Sequence, residues 1–388
     1  MWRSEDVTTT IKNKIGLGVI GCGNISMTYL RNAALFAGVE LRACADINAE
    51  MAAVRAHEYN IRALSVDQLL ADPEVDLILN LTVPAVHFDV TMSALDAGKH
   101  VFTEKPLATS AEAGRKLVQA AKAKGLLLGS APDTFLGAAG RRARLLMEQG
   151  AIGKPVSGTA FMMGRGMEHW HPNPQFYYQP GGGPVFDMGP YYLTMLVNLL
   201  GPVVRVMAMA TKGQDQRLIT AEGPFQNTSF TVGTPTNVLS LLEFQCGATV
   251  NFGASWDVFR HSNHPIELHG TEGSLRLPDP DTFGGTVSLS ARGADWQDFD
   301  SDQQLFGVRN WPFDAPDRAN YRMVGVADLV RALHEGRAPR ASGDLALHVL
   351  EIMEAILLSG ENQQSVTITG SVAQPPLLGE DEARSLLV

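Results

Sequence analysis

Two short blocks hold the residues whose types and spacing could do chemistry. "HVFTEKP" (100–106) sets Glu104 and Lys105 at the end of an apolar run, just ahead of a proline. "PGGGPVFDMGPYYLTMLVNLLGP" (180–202) sets Asp187 four residues before Tyr191, with Tyr192 next to it. A lysine before proline is held extended, and partial desolvation would lower its pKa toward proton transfer. Residues four apart share one helix face, so Asp187 and Tyr191 would lie on the same side of a helix. A tyrosine, with an ordinary pKa of about 10, can donate to or relay a proton from a substrate oxygen but is a poor free base at neutral pH. The structural alternative is that Asp187 is a helix N-cap, Pro190 a first-turn proline and the tyrosines packing. The glycine triplet suggests a phosphate loop, yet no Lys followed by Ser or Thr completes one.

A better phosphate site stands near the start. "IGLGVIGCGNIS" (15–26) has Gly21, Gly23 and Ser26 at the spacing of a dinucleotide-binding turn, with Ser in the third glycine's place. Gly21 permits the tight turn, Gly23 admits a pyrophosphate, and the helix opening at Asn24 and Ile25 directs free N–H groups at the anion, with Cys22 between the glycines. Asp46 closes the next apolar run, where an acid that binds the ribose hydroxyls is expected; its charge favours NAD over NADP.

"GRGMEHWHPNPQFYYQP" (164–180) is the candidate substrate loop. Trp170 offers a flat face for a ligand ring, and His171 and Tyr178, with Tyr192 beyond, can read polar groups on it. His169 and His171 lack an acidic or Cys partner at ligand spacing, so no metal is expected.

The elements that must position these residues are legible as patterns. From 14 to 132, the apolar runs "IGLGVIG", "VELRACAD", "VDLILNLT", "HVFTE" and "LLLGSAP" alternate with helical stretches, which implies a doubly wound parallel sheet. Ser65 with Gln68 and Thr109 with Glu112 read as capping boxes, and Gly98 and Gly125 as helix ends. After Pro132 strands follow one another with few helices, which implies an α+β domain on a large, mainly antiparallel open sheet. The expected organisation is a nucleotide-binding domain over 1–132 and a substrate-binding and oligomerisation domain over 133–388. Stretches 213–236 and 278–316, rich in Gly, Asp, Pro and Thr, read as long loops.

The 31 basic and 41 acidic residues give a net charge of −10 without a basic run, which excludes nucleic acid and anionic membranes as main partners. Three scattered cysteines suit a reducing compartment, and the opening "MWRSEDVTTTIKNK" has no apolar core of a leader, so a cytoplasmic protein is expected.

"GVIGCGNIS", "LTVPAVH", "EKP", "GAIGKP", "GGGPVFDMGPYY" and "GTEGSLRL", in that order, resemble the glucose-fructose oxidoreductase / inositol dehydrogenase / MocA family over about residues 14 to 370. The resemblance implies a Rossmann domain, a second domain whose open sheet lines the cleft, and an NAD(P)-dependent dehydrogenase or reductase of sugars, polyols and related carbinols. It implies Lys105 as the catalytic lysine, Glu104 as a residue placing the nicotinamide, and Thr82, Pro84 and His87 as lining of the cofactor pocket. It makes Asp187 the acid at the substrate hydroxyl, and puts Tyr191 where many relatives have His. It also implies a homodimer or homotetramer. Two other readings are an NAD-retaining glycosidase acting through a keto-sugar and a dinucleotide sensor without catalysis.

Overall fold

A computed structural model of the chain describes residues 14–312 and 314–388; the polar opening read above lies outside them up to Asn13. β1 (Ile15–Ile20), β2 (Val39–Ala45), β3 (Arg62–Ala63), β4 (Leu77–Asn80), β5 (His100–Thr103) and β6 (Leu128–Ser130) form a sheet in the order β3-β2-β1-β4-β5-β6. Every pair in it is parallel. Between the strands run α1 (Asn24–Asn32), α2 (Ala49–Tyr59), α3 (Val66–Ala71), α4 (His87–Asp96) and α5 (Ala111–Ala123). Helices cover both faces of such a sheet, which is why its central strands are apolar, β4 being buried throughout, while β2 carries Glu40 and Arg42 and the edge strand β3 is exposed. The order reverses between β1 and β4, so the turns after these two strands meet at the edge where ligands bind.

The Ser65–Gln68 capping box forms as expected. The second box does not: α5 starts at Ala111, and Ser110 caps it through the Ala113 amide at 3.2 Å. That start leaves Glu112 one place short of the box, and it pairs with Lys116 at 2.7 Å instead.

The remaining chain contributes α6 (Ala138–Glu148), α7 (Gly183–Leu200), α8 (Val324–Glu335), α9 (Gly343–Asn362) and α10 (Glu380–Ser385). Its strands are β7 (Pro155–Met163), β8 (Val203–Thr211), β9 (Gln216–Leu218), β10 (Ser229–Thr231), β11 (Asn237–Phe244), β12 (Thr249–Ser255), β13 (Ile266–Gly270), β14 (Gly273–Leu277), β15 (Thr286–Ala291), β16 (Gln297–Asp300) and β17 (Val366–Thr367). Nine of them form a sheet ordered β16-β15-β14-β13-β7-β12-β11-β8-β17, antiparallel except for β7 with β12. α7, apolar on nearly every side and buried along its length, and α9 cover one face. On the other face Met207, Met209, Leu239 and Leu241 stand exposed.

Two expected loops are partly strands. Stretch 213–236 holds the β9/β10 hairpin and stretch 278–316 holds β15 and β16. β9 and β10 are three residues long and β16, at the sheet edge, carries a single apolar residue, so they leave no apolar alternation to read, whereas Val287 and Leu289 do alternate with Thr286, Ser288 and Ser290 along β15. α7 also begins earlier than Asp187: Pro184 occupies its first turn, so Asp187 lies inside the helix, and Pro190 is an interior proline. The segment between α8 and α9 returns to the first sheet, where the Ser130 amide donates to the Ala341 carbonyl at 3.0 Å.

Candidate active site

Gly21 has φ +100°, and a Cβ there would lie 2.6 Å from the Leu81 carbonyl carbon, so glycine is required where the two turns touch. In front of Gly23 there is nothing within 4 Å, and no side chain caps α1, leaving the N-terminal end of that helix open to an anion. Asn24 is exposed and Ile25 half-buried, while Cys22 is buried and presents only backbone. Asp46 accepts the Cys22 amide at 2.7 Å and the Asn48 amide at 2.8 Å, which fixes its carboxylate beside the turn. Asn48, not Asp46, caps α2. Ile47 and Val83 project into solvent at this edge, apolar residues just past strand ends that the motif reading did not single out.

Thr82 donates its amide and hydroxyl to Asn80 Oδ1 at 3.2 and 2.6 Å, and Pro84 opens a short exposed turn. His87 departs from the expectation. It has no exposed surface, and its ring nitrogens face the Pro106 and Thr82 carbonyls at 2.7 and 2.9 Å. It braces the two turns against each other and does not line a pocket.

Lys105 Nζ donates to the Asp187 carbonyl at 2.7 Å and to Asp187 Oδ1 at 3.1 Å. Their side chains keep 17% and 18% of their surface exposed, enough to face a cleft. Tyr191, one turn along α7, lies with its ring centroid 5.1 Å from Nζ. Burial acts to lower the lysine's pKa, as expected from the sequence, but the Asp187 carboxylate, Tyr191 and Glu104 outweigh it and the net shift is upward. Lys105 in this structure is therefore an ammonium, not a lysine tuned toward neutrality. Glu104 accepts the Tyr29 hydroxyl at 2.6 Å and the Lys105 amide at 2.9 Å, which holds the end of β5 against α1.

Burial pushes the Tyr191 phenol up, Asp281 adds to this, and Lys105 and Arg322 pull it back. Arg322, which no motif marked, donates to the Tyr191 oxygen at 3.3 Å and to Asp281 at 2.7 Å.

The candidate substrate loop divides. Trp170 is 56% exposed and stacks edge-on against His171, which also meets Phe176 and Tyr177. Tyr177 is raised by burial and then by Asp187, with Lys105 opposing, so it belongs to the same electrostatic site. Tyr178 does not face the cleft: it is fully buried, its hydroxyl bonded to Glu168 and to the Met167 amide. Arg217 joins Glu168 to Asp257 beneath it. Tyr192 is likewise covered and bonded to Asp279. Aromatic residues next to a substrate loop also build its support, and composition cannot separate the two. His171 accepts the Asn173 amide and His169 contacts the Gly166 carbonyl. Among the described residues no group of three or more His, Cys, Asp or Glu is placed to hold a metal, and no helix is long and apolar enough to cross a membrane.

A parallel sheet with an open glycine turn at its switch point, and a lysine–carboxylate pair reaching from that sheet to the helix of a second, mainly antiparallel layer, define an oxidoreductase built on an NAD-binding fold. Residues 15–131 match the oxidoreductase family with NAD-binding Rossmann fold, and residues 141–276 match the GFO/IDH/MocA C-terminal domain. The chain belongs to the GFO/IDH/MocA oxidoreductase family. It is similar to 1,5-anhydro-D-fructose reductase of Ensifer adhaerens, 28% identical over 358 residues that cover 90% of this chain and 98% of the relative. It is also similar to inositol 2-dehydrogenase 3 of Saccharopolyspora erythraea, 27% identical over 83% of this chain and 94% of the relative. A levoglucosan dehydrogenase solved in complex with NADH shares the fold, with a TM-score of 0.77 at 21% identity over 92% of this chain and 99% of that one.

Proposed function

We propose that the protein transfers a hydride between NAD and a secondary carbinol of a sugar, sugar derivative or cyclic polyol. The observation that carries this is Lys105 hydrogen-bonded to Asp187, with Tyr191 one turn on, at the carboxyl edge of the sheet that ends in the open Gly21–Gly23 turn. Named relatives act on sugars and polyols, which supports the substrate class. NAD fits the residues present: the backbone of 21–25 would take the pyrophosphate and Asp46 the ribose hydroxyls. When bound, it supplies the hydride acceptor or donor at nicotinamide C4.

The chain's own residues handle the proton and the oxygen. In the oxidising direction a neutral Lys105 takes the hydroxyl proton; in the reducing direction its ammonium returns one. Asp187 holds and orients the lysine beside the substrate oxygen, and Tyr191 donates to that oxygen. The Asp46 charge disfavours a ribose 2′-phosphate. Residues 46–49, Asp-Ile-Asn-Ala, offer no cation to offset it, and Arg55 nearby is paired with Glu58. The exposed apolar face of the nine-stranded sheet suits a homodimer or homotetramer, and three free thiols suit the cytoplasm.

The test is a panel of free sugars and polyols with NAD, followed by NADH absorbance, beside aryl glycosides followed by aglycone release. Net NADH from a free carbinol supports the reading. Aglycone release without net NADH would make the protein an NAD-retaining glycosidase, and tight NADH binding with no turnover anywhere would make it a sensor.

A further inference from the structure

Arg322 stands 131 residues from Tyr191 in the chain, yet its Nη2 donates to the Tyr191 oxygen at 3.3 Å and to Asp281 Oδ1 at 2.7 Å, while Nη1 donates to Asn320 Oδ1 at 3.3 Å. The backbone around it is tied on two sides. Asn32, on α1 behind the glycine turn, donates to the Asn320 and Arg322 carbonyls at 2.9 and 3.0 Å. Asp133, just past β6, accepts the Met323 and Gly325 amides at 3.1 and 2.9 Å. The guanidinium therefore reaches Tyr191 from a segment anchored to the nucleotide-binding sheet.

The direction of this hydrogen bond has a chemical consequence. Arginine has donors only, so the tyrosine oxygen must be the acceptor and its own proton must be given elsewhere. Among the described residues nothing accepts it. The ring lies under the Lys105 ammonium and shares a helix face with Asp187, so the free O–H belongs to the cleft where the substrate oxygen would sit.

We propose that Arg322 is a positioning residue that fixes Tyr191 as a hydrogen-bond donor to the substrate oxygen. The proposal rests on the hydride-transfer reading above. In carbonyl reduction, hydride adds to the carbon and the C=O electron pair passes to oxygen. The Tyr191 O–H meets the growing negative charge, and the Lys105 ammonium gives up the proton that completes the hydroxyl. In oxidation the proton leaves the hydroxyl for neutral Lys105 as the hydride leaves carbon. A guanidinium bonded to the phenol oxygen polarises it and strengthens it as a donor in both directions.

The experiment is a double-mutant cycle of Arg322→Met and Tyr191→Phe, with kcat measured for reduction of a keto-sugar found active in the panel, NADH affinity by fluorescence and folding by thermal melt. Arg322→Met alone should lower kcat about tenfold or more, a smaller loss than the roughly hundredfold that follows removal of a donor touching the reacting oxygen itself. NADH affinity should change less than about threefold, and in the Tyr191→Phe background the same change should cost less than about twofold. Arg322→Ala should regain part of its activity with added guanidinium ion, and the Tyr191→Phe/Arg322→Ala enzyme none. Equal losses in both backgrounds, or rescue that ignores Tyr191, would overturn the proposal. If Arg322→Met does not fold, Arg322→Lys carries the same cycle, since it keeps charge and bulk but loses the planar fork. A Lys105→Met enzyme with near-normal kcat would overturn the hydride-transfer reading itself, whereas additive Arg322 and Tyr191 losses with Lys105 essential would overturn this inference alone.

Discussion

Lys105 is held as an ammonium by a carboxylate it touches, so in the proposed reaction its proton would be available for carbonyl reduction and would have to be removed before carbinol oxidation. Oxidation should therefore accelerate as pH rises, while reduction should persist across neutral pH. Replacing Asp187 by Asn removes the charge that does most to raise the lysine, and its pKa falls. The alkaline rise of kcat/KM for oxidation should move to lower pH by about one pH unit or more, with a smaller maximal rate. A pH–rate profile with the same position in both enzymes would remove Asp187 from this role. Lys105→Met should lower kcat by about 1,000-fold while NADH binds within a few-fold of normal, checked by single-turnover kinetics beside a fluorescence titration. These residues were legible because each lies in a local motif whose chemistry is readable without the fold. Arg322 was not, since its only meaning is a contact with a helix 131 residues away. Tyr178 misled for the opposite reason: it has the right type in the right loop, but the chain turns its ring toward Phe230 and Trp256.

Glycines separate the roles of the elements. Gly21 and Gly98 both have positive φ, +100° and +74°, but a Cβ at Gly21 would meet the backbone of the neighbouring turn and at Gly98 would meet nothing. Gly98→Ala should cost about 1 to 2 kcal/mol, the strain of a left-handed residue, and leave NADH affinity unchanged. Gly21→Ala should cost more, because the turns after β1 and β4 must also separate, and it should weaken NADH binding at least tenfold. Urea melts with NADH titrations check both, and equal behaviour of the two variants would contradict the close approach. The same reasoning explains which elements showed in the sequence. Buried parallel strands declare themselves as apolar runs, and the Ser65–Gln68 cap lies within four residues of the helix it starts. α8 does not declare its start: Met323 sits at φ +120° with no capping side chain, and the amides there are taken by Asp133, 190 residues upstream. The alternative that Asp187 caps α7 fails because Gly183 and Pro184 form its first turn and place Asp187 inside the helix.

At the scale of the molecule, two long-range features remain to be tested. On the open sheet face Leu239 pairs directly with Met209 and Leu241 with Met207, so the exposed side chains form one patch. Met209→Lys with Leu239→Lys should shift the protein to a smaller species in sedimentation without changing the fold, and an unchanged mass would place any interface elsewhere. The second feature is Asp133, the carboxylate that joins the exit of β6 to α8 and to the segment bearing Arg322. It is almost fully buried, Oδ2 takes two amides and Oδ1 has no partner among the described residues. Burial outweighs the two amides and the nearby Arg322 and pushes its pKa up to about 6. A carboxyl whose folded pKa is raised stabilises the fold fully only below its unfolded value near 3.9, and this contribution is lost as pH rises through about 6. The free-energy difference between Asp133→Asn and the parent should therefore move by about 1 kcal/mol in favour of the variant between pH 5 and pH 7, whatever constant penalty the amide itself carries. Urea denaturation of both proteins at the two pH values measures that difference. A difference that does not change with pH would mean that Asp133 is not the raised carboxyl. A difference moving the other way would mean that the two amides of α8 hold it ionised more strongly than burial opposes.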